Sequence, residues 1–265
     1  MKSHALGVFL FGLATAASLT LLYGVDLGRS WIEVSGSTAR EYQVPIRRVQ
    51  GREKQAVLTF DAVRESKNLE KILGILEQEQ VRAAFFVTGD WAEQYPEEVR
   101  KIAASGQDLG ISGRVWRDMR GLSGAEAREE LKEVREQAED ISGQEISLFR
   151  PPEGRAGHRL VESAGDCGLI TVAWDVDSLD WKEYGADFVV ERLTGSQGIR
   201  DGSIVLCRAD AKDTAEALED LIREIRGKGY ELVGMWELLY REDFYIDQQG
   251  TQISWAPEEE QEKKP

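Results

Sequence analysis

Cysteine is almost absent from this sequence, which has only Cys167 and Cys207 in 265 residues. No Cys-x-x-Cys pair exists, so the metal sites that such pairs build are excluded. Cys167 lies at the end of a predicted helix, and Cys207 lies within an apolar strand. A disulfide between them would be possible in an exported domain, but these placements favour two buried free thiols.

Basic residues are also few relative to acidic ones. Lysine and arginine number 33 against 48 aspartates and glutamates, which gives a net charge of −15. Because phosphate recognition depends on a basic face, a nucleic-acid partner is disfavoured, and any other anionic partner would need a local basic patch. The 42% hydrophobic and 31% charged content is typical of a folded protein.

A single long hydrophobic run stands near the beginning of the sequence. Ala5 to Tyr23 carries no charge, follows Lys2 and is long enough to cross a bilayer. We interpret residues 1–25 as a signal anchor, with the rest of the chain on the extracytoplasmic side of the membrane. The alternative is a cleaved signal peptide and a secreted domain, because Ala14-Thr15-Ala16 resembles a cleavage site.

The chain after this run divides into four segments by composition and periodicity. The first segment is polar and contains several Gly and Ser residues, the second shows regular strand and helix patterns, and the last is rich in charged residues. The predicted segments are a linker with a possible edge strand (26–55), a regular α/β domain (56–240), a C-terminal extension with a possible hairpin (241–256) and a charged, solvated tail (257–265).

Short apolar runs alternate with amphipathic stretches through the α/β domain, as in a sheet of parallel strands with helical crossovers. Ser123 to Glu126 has the pattern of a capping box that opens a long helix. An open doubly wound sheet and a closed barrel both fit this alternation. The predicted strands are 56–61, 83–88, 108–112, 147–150, 170–175, 203–208 and 230–235.

Polar residues recur where the predicted strands end. In a barrel, the carboxyl ends of the strands converge on one opening, called the mouth below, so residues far apart in sequence form one site. Taken singly, each of these residues is most simply a surface ion pair, but together they form a candidate site. They are Asp61, Ser112, Arg150, Asp175, Asp177 and Arg208.

Four motifs, LTFDA, FRPPEG, WDVDSLDWK and GSIVLCRAD, resemble in order and spacing the polysaccharide deacetylases of the NodB-homology type. The resemblance covers residues 56–239. It implies an α/β fold, a distorted seven-stranded (β/α) barrel, here preceded by the predicted transmembrane helix. It also implies zinc-dependent removal of N-acetyl groups from chitin-like or peptidoglycan chains. WDVDSLDWK in particular resembles the membrane-anchored, sporulation-type branch.

The resemblance implies roles for individual residues. The aspartate matching Asp61 is the general base, and the arginine matching Arg150 orients it. The metal is held by an aspartate at the next position and by two histidines of an H-x-x-x-H motif. A late histidine, held by the aspartate matching Asp177, is the general acid. The residues at the changed positions of this chain are Ala62, Ser112, Trp116 and Arg208.

These changes remove both the metal site and the acid. The only histidines are His4 and His158, and neither lies at a matching position. Zinc takes about four ligands, whereas Asp61 alone remains. Arg208 would repel a cation by about 4 kcal/mol per unit charge at ~4 Å and an effective dielectric of ~20, and arginine donates no proton near neutral pH. We predict no metal cofactor, and a pocket held by the pairs Arg150–Asp61 and Arg208–Asp177.

Arginines gather around the predicted mouth and could give an acidic protein a basic opening suited to carboxylates or phosphates of cell-wall polymers. The alternative, in which a neighbouring carboxylate neutralises each arginine, fits the sequence equally well. Pro151, Pro152, Gly154 and Trp181 could shape a sugar-binding groove, although turn geometry and packing are simpler roles. The arginines are Arg114, Arg117, Arg120, Arg150, Arg155 and Arg208.

The preferred interpretation is a membrane-anchored, catalytically inactive deacetylase homologue that faces the cell wall and binds glycan or a partner protein. One alternative is an active deacetylase with rearranged ligands among Asp61, Asp108 and His158. Another is a structural partner in an envelope or sporulation complex, with the mouth filled by Trp116 and Arg208.

Overall fold

The computed structural model describes residues 44–255, which fold into a curled sheet covered by helices. The predicted anchor and the charged tail lie outside the described residues. The strands are β1 (Arg48–Val49), β2 (Gln55–Ala62), β3 (Ala84–Val87), β4 (Asp108–Ile111), β5 (Leu148–Phe149), β6 (Ile170–Thr171), β7 (Val176–Asp177), β8 (Ser203–Arg208), β9 (Glu231–Leu232), β10 (Phe244–Ile246) and β11 (Thr251–Ser254). The helices are α1 (Leu69–Gln78), α2 (Gly89–Gln94), α3 (Pro96–Ala104), α4 (Gly124–Ser142), α5 (His158–Asp166), α6 (Ala186–Thr194), α7 (Lys212–Gly227) and α8 (Met235–Leu238).

Strand β2 is the centre of the sheet. It pairs in parallel with β3, β8 and β9, and seven of its eight residues are buried. The order along the sheet is β10-β11-β1-β8-β2-β3-β4-β5-β6, with β7 on β8 and β9 on β2. Ile46 connects the far end of this sheet back to β1, because its N–H donates to Thr171 O at 2.9 Å and its carbonyl accepts from Ala173 N–H at 2.7 Å. The sheet therefore curls towards a barrel.

Each of the seven predicted runs contains a strand, and β1 and the β10–β11 pair lie where an edge strand and a hairpin were expected. Strand β7 has no counterpart in the prediction, and the described residues contain eleven strands in all. The expected edge strand is wrong in its position: β1 lies between β11 and β8. Ile46, just before β1, and Val49, within it, are fully buried, so the fold takes in residues that were expected to be linker. Strands β10 and β11 form an antiparallel hairpin.

Alternation along β2 decides which side chains reach the mouth. Leu58, Phe60 and Ala62 pack under the helices, whereas Val57 belongs to the cluster enclosed by the curled sheet. Because successive side chains of a strand point to opposite faces, Asp61 shares the enclosed face with Val57. The strand therefore delivers its carboxylate to the open end of the sheet, and Ala62 faces the helix layer.

The helices follow the predicted patterns. Ser123 Oγ accepts from the Glu126 N–H, and the Glu126 carboxylate accepts from the Ser123 N–H, so the predicted capping box opens α4. Gly143 ends the helix with φ of 69°, a left-handed conformation that suits glycine. Both cysteines are buried and free, as expected. Within residues 44–255 no helix is sufficiently long and apolar to cross a membrane.

Candidate functional site

The mouth is a concave cavity of about 560 Å³ at the carboxyl ends of β2 and β8. Asp61 and Arg208 are register partners on these neighbouring strands and both line it. Aromatic rings and a few charged groups complete the wall. The remaining lining residues are Val63, Trp116, Glu153, Arg155, Trp174, Asp177, Trp181 and Leu206.

Asp61 and Arg150 form the ion pair that the sequence predicts. Arg150 Nη1 donates to Asp61 Oδ1 at 3.0 Å, and both side chains are buried. Burial raises the pKa of Asp61, against the lowering effect of Arg150, and burial likewise lowers the pKa of Arg150. Two buried charges that satisfy each other are stable as a pair, and neither is stable alone.

The rest of the Arg150 side chain is held by aromatic rings and backbone. Its guanidinium carbon lies 4.0 Å from the centroid of the Phe86 ring and 5.5 Å from that of Trp174, and Nη2 donates to Ala173 O at 3.4 Å. Ser112, at the first matching histidine position, is buried and its Oγ donates to the carbonyl of Arg150 at 2.8 Å. Ser112 thus fixes the backbone beneath the mouth.

The predicted pair between Arg208 and Asp177 is wrong. Arg208 Nε and Nη2 donate to the two carboxylate oxygens of Asp210, each at 2.9 Å. Asp177 instead accepts the N–H of Leu179 at 2.8 Å, which stabilises its own turn. Arg208 pairs with Asp210 because Asp210 lies two residues away and presents both carboxylate oxygens to the planar guanidinium. The guanidinium of Arg208, which lies beside Asp61, is therefore neutralised by Asp210.

The predicted basic mouth is also wrong, and the alternative of neighbouring carboxylates is correct. Arg114, Arg117 and Arg120 do not line the cavity. Arg155, which does, pairs with Glu153 at 3.0 Å. Ion pairing neutralises all six candidate arginines, so the mouth has little net charge. The other pairs are Arg114 with Asp90 and Glu93, Arg117 with Glu130, Arg120 with Asp118, Arg150 with Asp61, and Arg208 with Asp210.

The proposed sugar-groove residues divide into two groups. Pro151, Pro152 and Gly154 are buried and do not line the cavity, so their role is to shape the turn. Gly154 has φ of +64°, and a Cβ there would lie 2.9 Å from Trp174, so only glycine allows this close approach. Trp181 is 52% exposed and lines the cavity, which contradicts the simpler packing role.

The rearranged ligand set is not assembled in the described residues. His158 is exposed on α5 and its nearest carboxylate is Glu162, 3.9 Å away. Asp108 lies at the opposite end of the sheet, at the start of β4, where it accepts from Arg82 Nη2 and the Met235 N–H, both at 2.8 Å. Neither residue lines the mouth with Asp61.

The donor set of the mouth does not fit zinc. Within residues 44–255 no three side chains among His, Cys, Asp and Glu lie close enough to hold one metal ion. Asp61 has its Oδ1 engaged by Arg150, and the neighbouring strand contributes Arg208 where a ligand or acid would stand. Zinc sites in proteins use about three or four nitrogen, sulfur or oxygen ligands together, and this site offers no nitrogen ligand.

Three important residues were not anticipated from the sequence. Trp174 forms a wall of the mouth, and Asp210 is the true partner of Arg208. Asp180 is buried below the mouth, where its Oδ2 accepts from the Arg208 N–H at 2.8 Å and from Thr214 Oγ1. Burial raises the pKa of Asp180 to about 6. The sequence did contain a signal for these residues, since all three lie within the motifs WDVDSLDWK and GSIVLCRAD.

Comparison with known sequences supports these motifs. A family model described as "Polysaccharide deacetylase" matches residues 48–172. The uncharacterised protein YlxY of Bacillus subtilis is 33% identical over 171 residues, which cover 64% of this chain and 53% of that protein, so the match spans about half of its length. The peptidoglycan-N-acetylmuramic acid deacetylase PdaA of Bacillus subtilis is 27% identical over 203 residues, covering 74% of this chain and 75% of that enzyme.

Solved structures show the same architecture. A CE4 family pseudoenzyme from Bacillus anthracis is 30% identical, with a TM-score of 0.71 over 76% of this chain and 71% of that one. A mutant of that pseudoenzyme, with restored enzymatic activity, is 31% identical, with a TM-score of 0.71 over 75% of this chain and 72% of its own. The similarity therefore extends from the motifs to the fold.

Proposed function

We propose, from the premise that this chain belongs to the polysaccharide deacetylase family, that it binds cell-wall glycan in the mouth without removing acetyl groups. The observation that carries this proposal is the Arg208–Asp210 ion pair beside Asp61. It occupies the position of the family's general acid with a group that donates no proton near neutral pH. The base position remains, but the acid and the metal ligands that the reaction requires are replaced.

The shape of the mouth supports binding. Its volume of about 560 Å³ lies in the ordinary range of ligand pockets, which combine apolar or aromatic walls with a few polar groups. Trp116, Trp174 and Trp181 supply the aromatic surface, and the Glu153–Arg155 pair supplies hydrogen-bonding groups at the rim. Trp116 and Arg208 line this cavity without filling it, so a sealed structural role is less favoured.

We also propose that residues 5–23 anchor the chain in the membrane and place the glycan-binding domain on the extracytoplasmic side. This position would present the mouth to the wall, where relatives such as the peptidoglycan deacetylase PdaA act on glycan. A role in sporulation, and a protein partner in an envelope complex, are finer proposals that rest on the WDVDSLDWK resemblance.

The catalytic proposal predicts that the purified full-length chain contains no stoichiometric zinc and releases no acetate from peptidoglycan or N-acetylated chitin oligomers. Metal content can be measured by elemental analysis, and acetate by a coupled assay with added zinc. The variant with Ser112→His, Trp116→His and Arg208→His together should bind zinc more tightly than the unaltered chain, because it adds two nitrogen ligands to the Asp61 carboxylate and returns an acid to the position of Arg208.

Acetate release by the unaltered chain would overturn the proposal of inactivity. A matched variant with Arg114→His, Arg117→His and Arg120→His adds the same number of histidines outside the cavity. It should therefore gain no stoichiometric metal at the mouth. If both triple variants bind zinc equally, the matching positions do not form a site.

The binding proposal predicts that Trp181→Ala weakens binding of a neutral chitin oligomer by at least about fivefold, since exposed aromatic residues in a pocket commonly contribute about 1–2 kcal/mol to binding. Isothermal titration calorimetry measures this change directly. Tyr184→Ala is the control, because Tyr184 is 60% exposed nearby but does not line the cavity. Equal affinity for all three proteins would show that the oligomer does not occupy the mouth.

A further inference from the structure

A second cavity of about 530 Å³ lies on the other side of Trp174 from the mouth. It forms where β1 and the β10–β11 hairpin meet the turn between β6 and β7. We call it the arginine pocket, because three of its lining residues are arginines. Its principal lining residues are Arg47, Arg48, Arg200, Trp174, Asp175 and Asp247.

Two of the three arginines of this pocket, Arg47 and Arg48, form no ion pair among the described residues, whereas Arg200 pairs with Asp175. All six arginines expected at the mouth, by contrast, are paired. Arg47 uses Nη2 to donate to Gly154 O at 3.1 Å and Nη1 to Trp174 O at 3.3 Å. Since a guanidinium carries five N–H donors, most of those on Arg47 and Arg48 remain available to a ligand.

The two carboxylates of the pocket are largely occupied by the protein itself. Asp175 is nearly buried and accepts from Arg200 Nε at 3.0 Å, from Ser203 Oγ at 3.1 Å and from the Ile204 N–H at 3.0 Å. Asp247 Oδ1 accepts from the N–H groups of Gln249 and Thr251, which shapes the hairpin turn. Three guanidinium groups against two carboxylates leave the pocket with a net charge of one positive.

The pocket is also held in shape. A Cβ on Gly250 would lie 2.6 Å from Pro45 O and 2.9 Å from Arg47 Cγ, and its φ is +85°, so this glycine lets the hairpin approach Arg47 closely. Arg47 in turn fixes the Trp174 and Gly154 backbone that separates this pocket from the mouth. The guanidinium groups of Arg47 and Arg200 are therefore positioned before any ligand arrives, which lowers the entropic cost of binding.

We propose that the arginine pocket binds an oxyanion, the phosphate or carboxylate group of an anionic saccharide. Guanidinium groups recognise both oxyanions through paired N–H donors. Because Trp174 lines both cavities, a polymer with its neutral sugar in the mouth can reach the pocket with a charged substituent. The anion site does not depend on the proposed glycan binding, since it is defined by its own residues.

The test uses the full-length chain at low salt with three probes: N-acetylglucosamine 6-phosphate, glucuronic acid and neutral N-acetylglucosamine. Calorimetry or NMR titration should show binding of at least one anionic probe that Arg48→Gln weakens at least tenfold. Asp247→Asn should strengthen the same binding, because it removes a negative charge from the lining. Arg159→Gln, an exposed arginine on α5 outside the pocket, should leave it unchanged.

Three outcomes would overturn the proposal: no binding of either anion, equal binding of the neutral probe, or anion binding that Arg48→Gln does not alter in a protein whose circular dichroism is unchanged. A preference for one anion identifies the substituent as phosphate or carboxylate. Trp181→Ala separates the two sites, because it should weaken binding of the neutral oligomer and leave anion binding intact.

Discussion

Replacing Asp61 with alanine should lower the free energy of unfolding by about 3–5 kcal/mol, which is the usual cost of removing one partner of a buried ion pair. The loss would leave the Arg150 guanidinium buried with the 3.4 Å bond from Nη2 to Ala173 O. The Nε of Arg150 is already buried without a hydrogen-bond partner in the described part of the chain. Urea denaturation of the full-length chain, followed by tryptophan fluorescence, measures the change.

Two further variants show whether this loss comes from the ion pair. Asp61→Asn keeps an acceptor for Arg150 Nη1 and should cost less than Asp61→Ala. The double variant Asp61→Leu with Arg150→Met removes both charges and should recover much of the stability, since apolar replacements of buried pairs are often neutral or stabilising. If Asp61→Ala unfolds within about 0.5 kcal/mol of the unaltered chain, the carboxylate does not hold Arg150.

This pair shows what can be predicted from the sequence. Asp61 and Arg150 end strands whose apolar runs are clear in the sequence, and parallel strands bring such ends together. The capping box of α4 and the free cysteines were also predictable, because the residues next to them in the sequence determine their environment. Predictions were thus most successful where a clear pattern of apolar residues indicated both the type of secondary structure and the face that is buried.

The failures have physical causes as well. Arg208 pairs with Asp210 rather than with Asp177, because Asp210 is only two residues away and accepts two hydrogen bonds from the guanidinium, whereas Asp177 lies on another strand. The backbone turn that allows this pairing cannot be predicted from hydrophobic periodicity. Strand β1 has two residues, too few for an alternation pattern. The arginine pocket needs β1 and the hairpin together, so neither its position nor its charge was visible in the sequence.

The stability of the chain should also depend on pH through Asp180. Burial raises its pKa from the ordinary value of 3.8 to about 6, although Thr214 and the Arg208 N–H favour the charged form. The folded chain therefore holds this proton more tightly than the unfolded chain between about pH 4 and pH 6, and stability falls as the pH rises through that window. A difference of about two pKa units corresponds to about 3 kcal/mol.

Asp180→Asn removes this titration while keeping an oxygen acceptor for Thr214 and the Arg208 N–H. Relative to the unaltered chain, its free energy of unfolding should therefore rise by about 2 kcal/mol between pH 4 and pH 7, measured by urea denaturation at both values. In a chain that keeps Asp180, Thr214→Val should make the free energy of unfolding more dependent on pH, because it removes a hydrogen bond that favours the charged form of Asp180. If Asp180→Asn differs from the unaltered chain by the same amount at both pH values, Asp180 titrates alike in the folded and unfolded chain, and burial beneath the mouth does not raise its pKa.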